Sequence, residues 1–247
     1  MAKLVQKSGY IKSGKASGYM RYIATREGVE KLAGNGAVTK GQRELIQKLL
    51  RNFPDAVELF EYEDYCKTPT LGTASAFITM ALDANLHEID LESGYMQYIA
   101  TRPRVQKRGS HGLFSSAAAV DLASAMSELE AHEGNVWTII YSLRREDAAR
   151  LEYDNADAWR TLLMENAPTL AKSMKISLNN FHWYAAFHDE GHHPHIHMMV
   201  WSDDPKEGFL TKDGIAAMRS KLTNAIFRDE MQQIYERKDV AYSDLVE

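Results

Sequence analysis

Alternating polar and apolar positions identify the extended segments of this chain. Residues 3–12 alternate loosely, and residues 135–143 form a run rich in β-branched and aromatic side chains. Two further alternating runs lie within residues 181–201. Between these two runs stand residues that favour turns: Asp189, Glu190, Gly191 and Pro194. The pattern predicts two separate strands and one β-hairpin.

Apolar residues at helical spacing predict several helices. In the first half of the chain, helices are predicted over residues 41–51, 55–65 and 73–84, with breaks at Pro54 and Pro69. These helices form a block of about 30–90 between the first strand and the rest of the chain.

The second half of the chain is predicted to begin with a short strand over residues 109–114. A helix capped by Ser115 and ending near residue 131 follows, then an amphipathic helix over residues 155–175 and a long charged helix over residues 211–237. This order favours an α+β fold with an antiparallel or mixed central sheet and the hairpin at its centre. Helices are expected on one face of the sheet and the histidines on the other.

The hairpin register follows from placing His188 opposite His195. Residue 186 then pairs with 197, 184 with 199 and 182 with 201. The alternation predicts that one face is polar and exposed, and carries His182, Tyr184, His188, His195, His197 and Trp201. The opposite face is apolar and suited to packing under helices.

Histidine density is the strongest chemical signal, since five of the nine histidines fall within residues 188–197. His195 and His197 point to the same side of a strand. Directly opposed residues in an antiparallel pair lie roughly 4.5 to 5.5 Å apart, so His188 can join them on one ion. Three neutral imidazoles suit Zn, Mn, Fe, Co or Ni and leave open coordination positions, as catalytic sites do. The alternative is a histidine-rich surface hairpin that binds no metal.

Other polar residues of the turn have supporting roles in this interpretation. His192 and His193 are predicted to support the metal ligands or to face solvent. Asp189 or Glu190 is predicted to orient a ligand imidazole or to carry a proton.

Composition restricts the class of protein. The 247 residues are 45% hydrophobic, enough to bury a substantial core. The single cysteine, Cys66, excludes an intramolecular disulfide and fits a reducing cytosol. No apolar stretch is long enough to span a bilayer, and the N-terminus lacks the apolar core of a signal peptide. We therefore expect a cytoplasmic protein without membrane insertion.

Charge is unevenly distributed behind a net value of −5. Residues 1–26 and 93–120 contain basic residues and no acidic residue. Such stretches are either solvated faces or sites for phosphate groups.

A tyrosine motif occurs twice in the chain. The sequence SGYMRYIATR at residues 17–26 recurs as SGYMQYIATR at residues 93–102, with nine of ten positions identical. Ser17 and Ser93 are suitable N-caps, which places both tyrosines of each copy on one helical face. The tyrosines are either core aromatics or, in one case, a nucleophile. A phenol with its usual pKa near 10 needs a neighbouring cation, metal or base to attack an electrophile.

These motifs resemble those of relaxases of the MobP/MobL type, which are HUH endonucleases of conjugative and mobilizable elements. The segment from His188 to His197 is similar to their histidine motif, and residues 22–26, after a short N-terminal strand, are similar to their tyrosine motif. Residues 109–114 and 135–147 also resemble this group. The resemblance covers most of residues 1–210.

The resemblance implies a DNA strand-transfer activity. A tyrosine would attack one phosphodiester of single-stranded DNA at an origin of transfer on a plasmid or integrative conjugative element, remain joined to the 5′ phosphate, and later allow religation. His188, His195 and His197 would hold a divalent metal, expected to be Mn or Mg, with Zn, Ni or Co as ions that a crystal can contain. Accessory DNA-processing and coupling proteins are the implied partners.

Two tyrosines are the main candidates for the nucleophile. Tyr22 has the favoured context after the N-terminal strand, whereas Tyr98 lies at the more usual distance ahead of the histidines. Tyr19 and Tyr95 are the remaining candidates, and one tyrosine can cut while another rejoins.

The resemblance also implies residues that contact DNA. Phosphates of the strand would be held by Lys15, Arg21, Arg26, Arg102, Arg104, Lys107 and Arg108. Tyr184, Trp201 or His182 would stack on bases. On this interpretation residues 1–247 are one relaxase domain with a helical insertion around 30–90 and a C-terminal helix over 211–237, and the polar end leaves open that the chain is the N-terminal part of a longer protein.

Three alternatives remain open at this point. A metallohydrolase of a small molecule can use the same histidines, but it leaves the repeated tyrosine motif unexplained. A DNA-binding module without enzymatic activity can share the fold. A rolling-circle replication initiator nuclease shares the chemistry and differs only in its biological role.

Overall fold

A five-stranded antiparallel sheet forms the centre of the part of the protein that the structure describes. The computed structural model describes residues 3–11, 36–85, 96, 99–100, 105–107, 110–132, 134–189, 193–228 and 230. The strands are β1 (Val5–Ile11), β2 (Leu113–Phe114), β3 (Val136–Ser142), β4 (Phe181–His188) and β5 (His195–Ser202). Their order across the sheet is β1-β3-β5-β4-β2, and every neighbouring pair is antiparallel. The predicted α+β class and the central position of the hairpin are confirmed.

The hairpin has the predicted register. His188 pairs with His195, residue 186 with 197, 184 with 199 and 182 with 201. Because side chains alternate between the two faces of a strand, a slip of one residue in the pairing would have placed His188 on the face opposite to His195 and His197. The correct register is therefore what brings the three histidines together.

Within the described residues 36–85, three helices follow β1 in the sequence. These are α1 (Lys40–Asn52), α2 (Phe60–Lys67) and α3 (Leu71–Asp83). The helix predicted over residues 55–65 is divided, because Pro54 begins a separate 3-10 turn that ends at Glu58, and Leu59 is extended. Thr39 and Thr70 cap α1 and α3 through their side chains.

Four further helices lie beyond residue 120 in the described part of the chain: α4 (Leu122–Glu130), α5 (Arg145–Arg150), α6 (Ala156–Ser173) and α7 (Lys212–Ile226). Ser115 does not cap a helix as predicted, and α4 instead begins after the N-cap Asp121. The reason is that Arg160 donates hydrogen bonds to the carbonyl groups of residues 115, 116 and 117, which would otherwise be helical acceptors. None of the described helices is both long and apolar enough to cross a bilayer.

Both faces of the sheet are buried, so the prediction of an exposed histidine face is wrong. Helices α6 and α7 pack on the apolar face through residues such as Trp159 and Leu222. On the histidine face, α4 packs against Met199 and Trp201 together with Met96, Ile99, Ala100 and Val105. Helices α1 to α3 form a core with Val5 of β1 on the same face. The alternation of polar residues therefore marks a buried site and not a surface in contact with water.

Candidate metal centre

The three predicted ligands converge in the middle of the histidine face. His188 ends β4, His195 begins β5, and His197 follows two residues later on the same side. Their ring centroids are 5.2 Å (His188–His195), 4.6 Å (His188–His197) and 5.1 Å (His195–His197) apart. One ligand nitrogen from each ring lies within 4.8 Å of the other two, and all three side chains are fully buried.

Backbone carbonyl groups orient two of the three rings. The Nε2 of His188 lies 2.8 Å from the carbonyl oxygen of Ile99, and the Nδ1 of His195 lies 3.0 Å from that of His193. A carbonyl oxygen can only accept a hydrogen bond, so in the neutral form that a metal ligand requires, each ring has its proton on this nitrogen. The other nitrogen of each ring, Nδ1 of His188 and Nε2 of His195, then has the lone pair that a metal ligand needs.

This donor set fits a divalent metal ion. Three neutral imidazoles within one small cluster supply three corners of a coordination sphere and leave the others for water or a substrate oxygen. Hydrogen bonds from ligand rings to carbonyl groups are the usual means by which proteins hold such ligands in place. The residues predicted as ligands are therefore the residues that could hold the metal.

Helix α2 contacts the turn that precedes His195. The Oδ2 of Asp64 lies 2.8 Å from the Nε2 of His193, whose ring stacks on Phe60 with centroids 5.2 Å apart. Arg144, just after β3, binds the Oδ1 of Asp64 at 3.2 Å and lies over the ring of Phe60 at 4.7 Å. His193 is thus buried and held by its ring, and it is not a solvent-facing residue.

Two carboxylates of α2 remain ionised beside Arg144. Burial by itself would raise the pKa of Asp64, but hydrogen bonds and charges from His193 and Arg144 outweigh it and lower that pKa. The pKa of Glu63 is lowered to about 2, first by its hydrogen bond from Lys67 and further by the nearby Arg144 and Lys3. Asp64 therefore accepts hydrogen bonds from both of its partners at neutral pH.

Sequence reasoning missed Asp64, Phe60 and Arg144. Asp64 and His193 are 129 residues apart, and Arg144 is 80 residues from Asp64. No local pattern connects positions so distant. The one signal in the sequence concerns Arg144, which lies within the segment of residues 135–147 that resembles relaxases.

Lys7 is a further polar residue on the histidine face. The register aligns it with Ile140 and, one strand further, with His197. Its side chain is 5% exposed and forms an ion pair with Asp55. Since residues two strands apart are separated by roughly 10 Å, the backbone of Lys7 lies beside the histidine cluster and is not part of it.

The tyrosine motifs are only partly described. Tyr19, Tyr22, Tyr95 and Tyr98 all lie outside the described residues. In the second copy, Met96, Ile99 and Ala100 are helical and buried. The carbonyl of Ile99, which directly follows Tyr98 in the sequence, is the group that binds His188. The backbone of the second copy therefore reaches the histidine cluster.

Other predicted site residues lie at the edge of the described chain or beyond it. Asp189 forms an ion pair of 2.6 Å with Arg145, and Lys107 is exposed. The remaining residues predicted for the turn and for binding DNA lie outside the described residues: Glu190, His192, Lys15, Arg21, Arg26, Arg102, Arg104 and Arg108.

The aromatic residues predicted to stack on bases contact one another. Trp201 is buried between Tyr184, at 5.6 Å, and His182, at 5.9 Å. The hydroxyl of Tyr184 donates to Glu128 at 2.8 Å, and burial, followed by this hydrogen bond, raises its pKa. Tyr184 therefore stays protonated at neutral pH, and its role toward DNA stays a prediction.

Comparison with known proteins identifies the family of this chain. A family model described as MobL relaxases matches residues 1–247. No curated protein and no solved structure matches the chain. The match over the whole of the sequence agrees with the histidine and tyrosine motifs and with the buried histidine cluster. The chain belongs to the MobL family of relaxases.

Proposed function

We propose that this protein nicks single-stranded DNA at an origin of transfer by tyrosine transesterification with the help of a metal ion. Membership of the relaxase family gives DNA relaxase activity as the broad function. The observation that supports the detailed proposal is the buried cluster of His188, His195 and His197. One ligand nitrogen from each ring lies within 4.8 Å of the other two.

The proposed reaction exchanges one phosphate ester for another. The phenol oxygen of a tyrosine attacks phosphorus, and the bond between phosphorus and the 3′ oxygen breaks. The 3′ oxygen leaves with the electron pair and takes up a proton, while the phenol proton passes to a neighbouring base or water. Because an ester bond is conserved, religation by the reverse step needs no nucleotide hydrolysis.

A metal held by the three histidines would neutralise charge that develops on the phosphate oxygens. The imidazoles position that ion, and the carbonyl groups of Ile99 and His193 keep two of them in the tautomer that binds it. Burial of the cluster strengthens these electrostatic effects, since a site shielded from water has a lower effective dielectric constant.

Tyr22 and Tyr98 are the proposed nucleophiles. The sequence context after β1 favours Tyr22. The hydrogen bond between His188 and the carbonyl group of Ile99 supports Tyr98, because Tyr98 is the neighbour of Ile99 in the sequence. Asp189 or Glu190 remains the proposed proton carrier.

Lys107 and Arg108 are proposed to bind phosphates of the flanking strand. Replacing both with alanine is expected to weaken binding of single-stranded DNA and to reduce the slope of log affinity against log salt by about 0.7 for each phosphate that the variant no longer neutralises. Fluorescence anisotropy of a labelled oligonucleotide at several salt concentrations measures both effects. Replacement of Lys48, a lysine of α1, with alanine is the control. An unchanged slope in the double variant would reject this assignment.

The whole proposal is tested by trapping the covalent intermediate. Labelled single-stranded DNA carrying the element's transfer origin is incubated with the protein and Mn²⁺ or Mg²⁺, then separated on a denaturing gel. We expect a protein band that carries the label and that disappears when EDTA removes the metal. DNA cut without such an adduct would instead indicate a metal-activated water, and no cleavage with either ion would contradict the proposal.

A further inference from the structure

Helix α2 is joined to the metal centre through one side chain of the turn between β4 and β5. Asp64 accepts a hydrogen bond from the Nε2 of His193 at 2.8 Å. The side chain of His193 is 5% exposed, and its ring lies on Phe60 with an angle of 26° between the two planes. Two residues of α2 therefore fix both the direction and the plane of this ring.

The backbone of His193 contacts the proposed metal ligand His195. Its carbonyl oxygen accepts the hydrogen bond from the Nδ1 of His195 at 3.0 Å. Pro194 separates the two histidines, and its ring fixes its own backbone angle φ and restricts the backbone of His193. The carbonyl of Pro194 in turn accepts from the backbone N–H of Leu143 at 3.2 Å. A shift of the His193 ring would therefore turn the carbonyl that sets the tautomer of His195.

Asp64 is itself held by a second partner, Arg144. Arg144 follows β3 and binds Asp64 through one nitrogen and Glu63 through the other, each at 3.2 Å. Its guanidinium also lies over Phe60, a favourable arrangement of a cation on an aromatic face. One carboxylate oxygen of Asp64 therefore accepts a hydrogen bond from Arg144, and the other accepts one from His193.

Resting on the proposed metal-dependent function, we propose that Asp64 and His193 are positioning residues of the metal centre. Through the His193 carbonyl they hold His195 with its Nε2 toward the other two ligands. Helix α2 then does more than cover the histidine face, since it determines how tightly the site binds its ion. A role in stability alone would instead affect the melting temperature and leave metal affinity unchanged.

The affinity of the full chain for Mn²⁺, measured by isothermal titration calorimetry, separates these two roles. Asp64→Ala and His193→Phe are each expected to raise the dissociation constant about tenfold or more, as loss of a group that orients a ligand does. His193→Phe keeps a ring to stack on Phe60 and removes the hydrogen bond to Asp64. The double variant should bind Mn²⁺ little more weakly than either single variant, because both substitutions break the same hydrogen bond between Asp64 and His193.

Glu63→Ala is the matched control. Glu63 is the neighbour of Asp64, binds the same Arg144 and does not hydrogen-bond to His193 in the described part of the chain. We expect its melting temperature to fall while its Mn²⁺ affinity stays within about twofold of wild type, the scatter usual for a residue without a role in the site.

The tautomer of His195 gives a second measurement, which needs no metal and no activity. Long-range proton–nitrogen NMR spectra of the metal-free chain should show the proton of His195 on Nδ1 in wild type and in Glu63→Ala, and a mixture of tautomers in Asp64→Ala. If Asp64→Ala and His193→Phe kept both the wild-type affinity and the wild-type tautomer, the positioning role would be refuted. Wild-type protein that bound no Mn²⁺ would overturn the proposed metal-dependent function itself.

Discussion

His195→Ala and His197→Ala are each expected to reduce DNA cleavage about 100-fold or more and to abolish measurable Mn²⁺ binding. Charge stabilisation by a bound metal is worth several kcal/mol, and each 1.36 kcal/mol corresponds to a factor of ten in rate. Two imidazoles cannot replace a cluster in which three ligand nitrogens lie within 4.8 Å of one another. Single-turnover cleavage and calorimetric titration measure the two effects.

The control for this experiment is His132→Ala. His132 is an imidazole beside Trp201 at 6.1 Å, and its loss should leave Mn²⁺ affinity unchanged. Because the three ligands are fully buried, circular dichroism and a thermal melt must show that each alanine variant is folded. A folded His195→Ala protein that cut DNA at the wild-type rate would contradict a metal centre built on these residues.

Tyrosine substitution is expected to give the second largest effect. Tyr22→Phe and Tyr98→Phe each remove one phenol oxygen and keep the aromatic ring, so the bulk of the side chain is conserved while the nucleophile is lost. The variant that lacks the nucleophile should form no covalent adduct with the DNA, and the double variant should form none in any case. A denaturing gel with labelled single-stranded DNA measures the adduct.

Tyr10→Phe provides a matched control for the tyrosine variants. Tyr10 lies on β1, is 40% exposed and contacts Trp137, so its hydroxyl should be dispensable for the adduct. Loss of adduct in one single variant identifies the nucleophile. Partial loss in both indicates that Tyr22 and Tyr98 can each act as the nucleophile. Adduct that persisted in the double variant would show that both assignments are wrong.

The hairpin and its ligands could be predicted from the sequence because their information is local. Alternation with a period of two residues fixes which side chains share a face, and the turn residues between His188 and His195 fix the register. The pattern therefore predicts that the three histidines share a face without information from the rest of the chain, although contacts with other elements orient their rings.

The burial of the site could not be predicted in the same way. Whether a polar face meets water depends on elements that pack on it, and here these are α1 to α3 and α4, which are distant in sequence from the hairpin. Similarly, Arg160 holds residues 115–117 out of a helix through contacts across more than 40 residues. The contact of Asp64 with His193 belongs to the same class.

The order of the strands has a consequence for synthesis of the protein. The central strand, β5, is the last of the five to leave the ribosome, whereas β1, which pairs with the far side of β3, is the first. In a nascent chain, β1 therefore stays unpaired until β3 emerges. The set of three predicted metal ligands is complete only when His197 has been made. Since pairing between distant segments is slow, the capacity to capture an ion arises late, only after all five strands have been made.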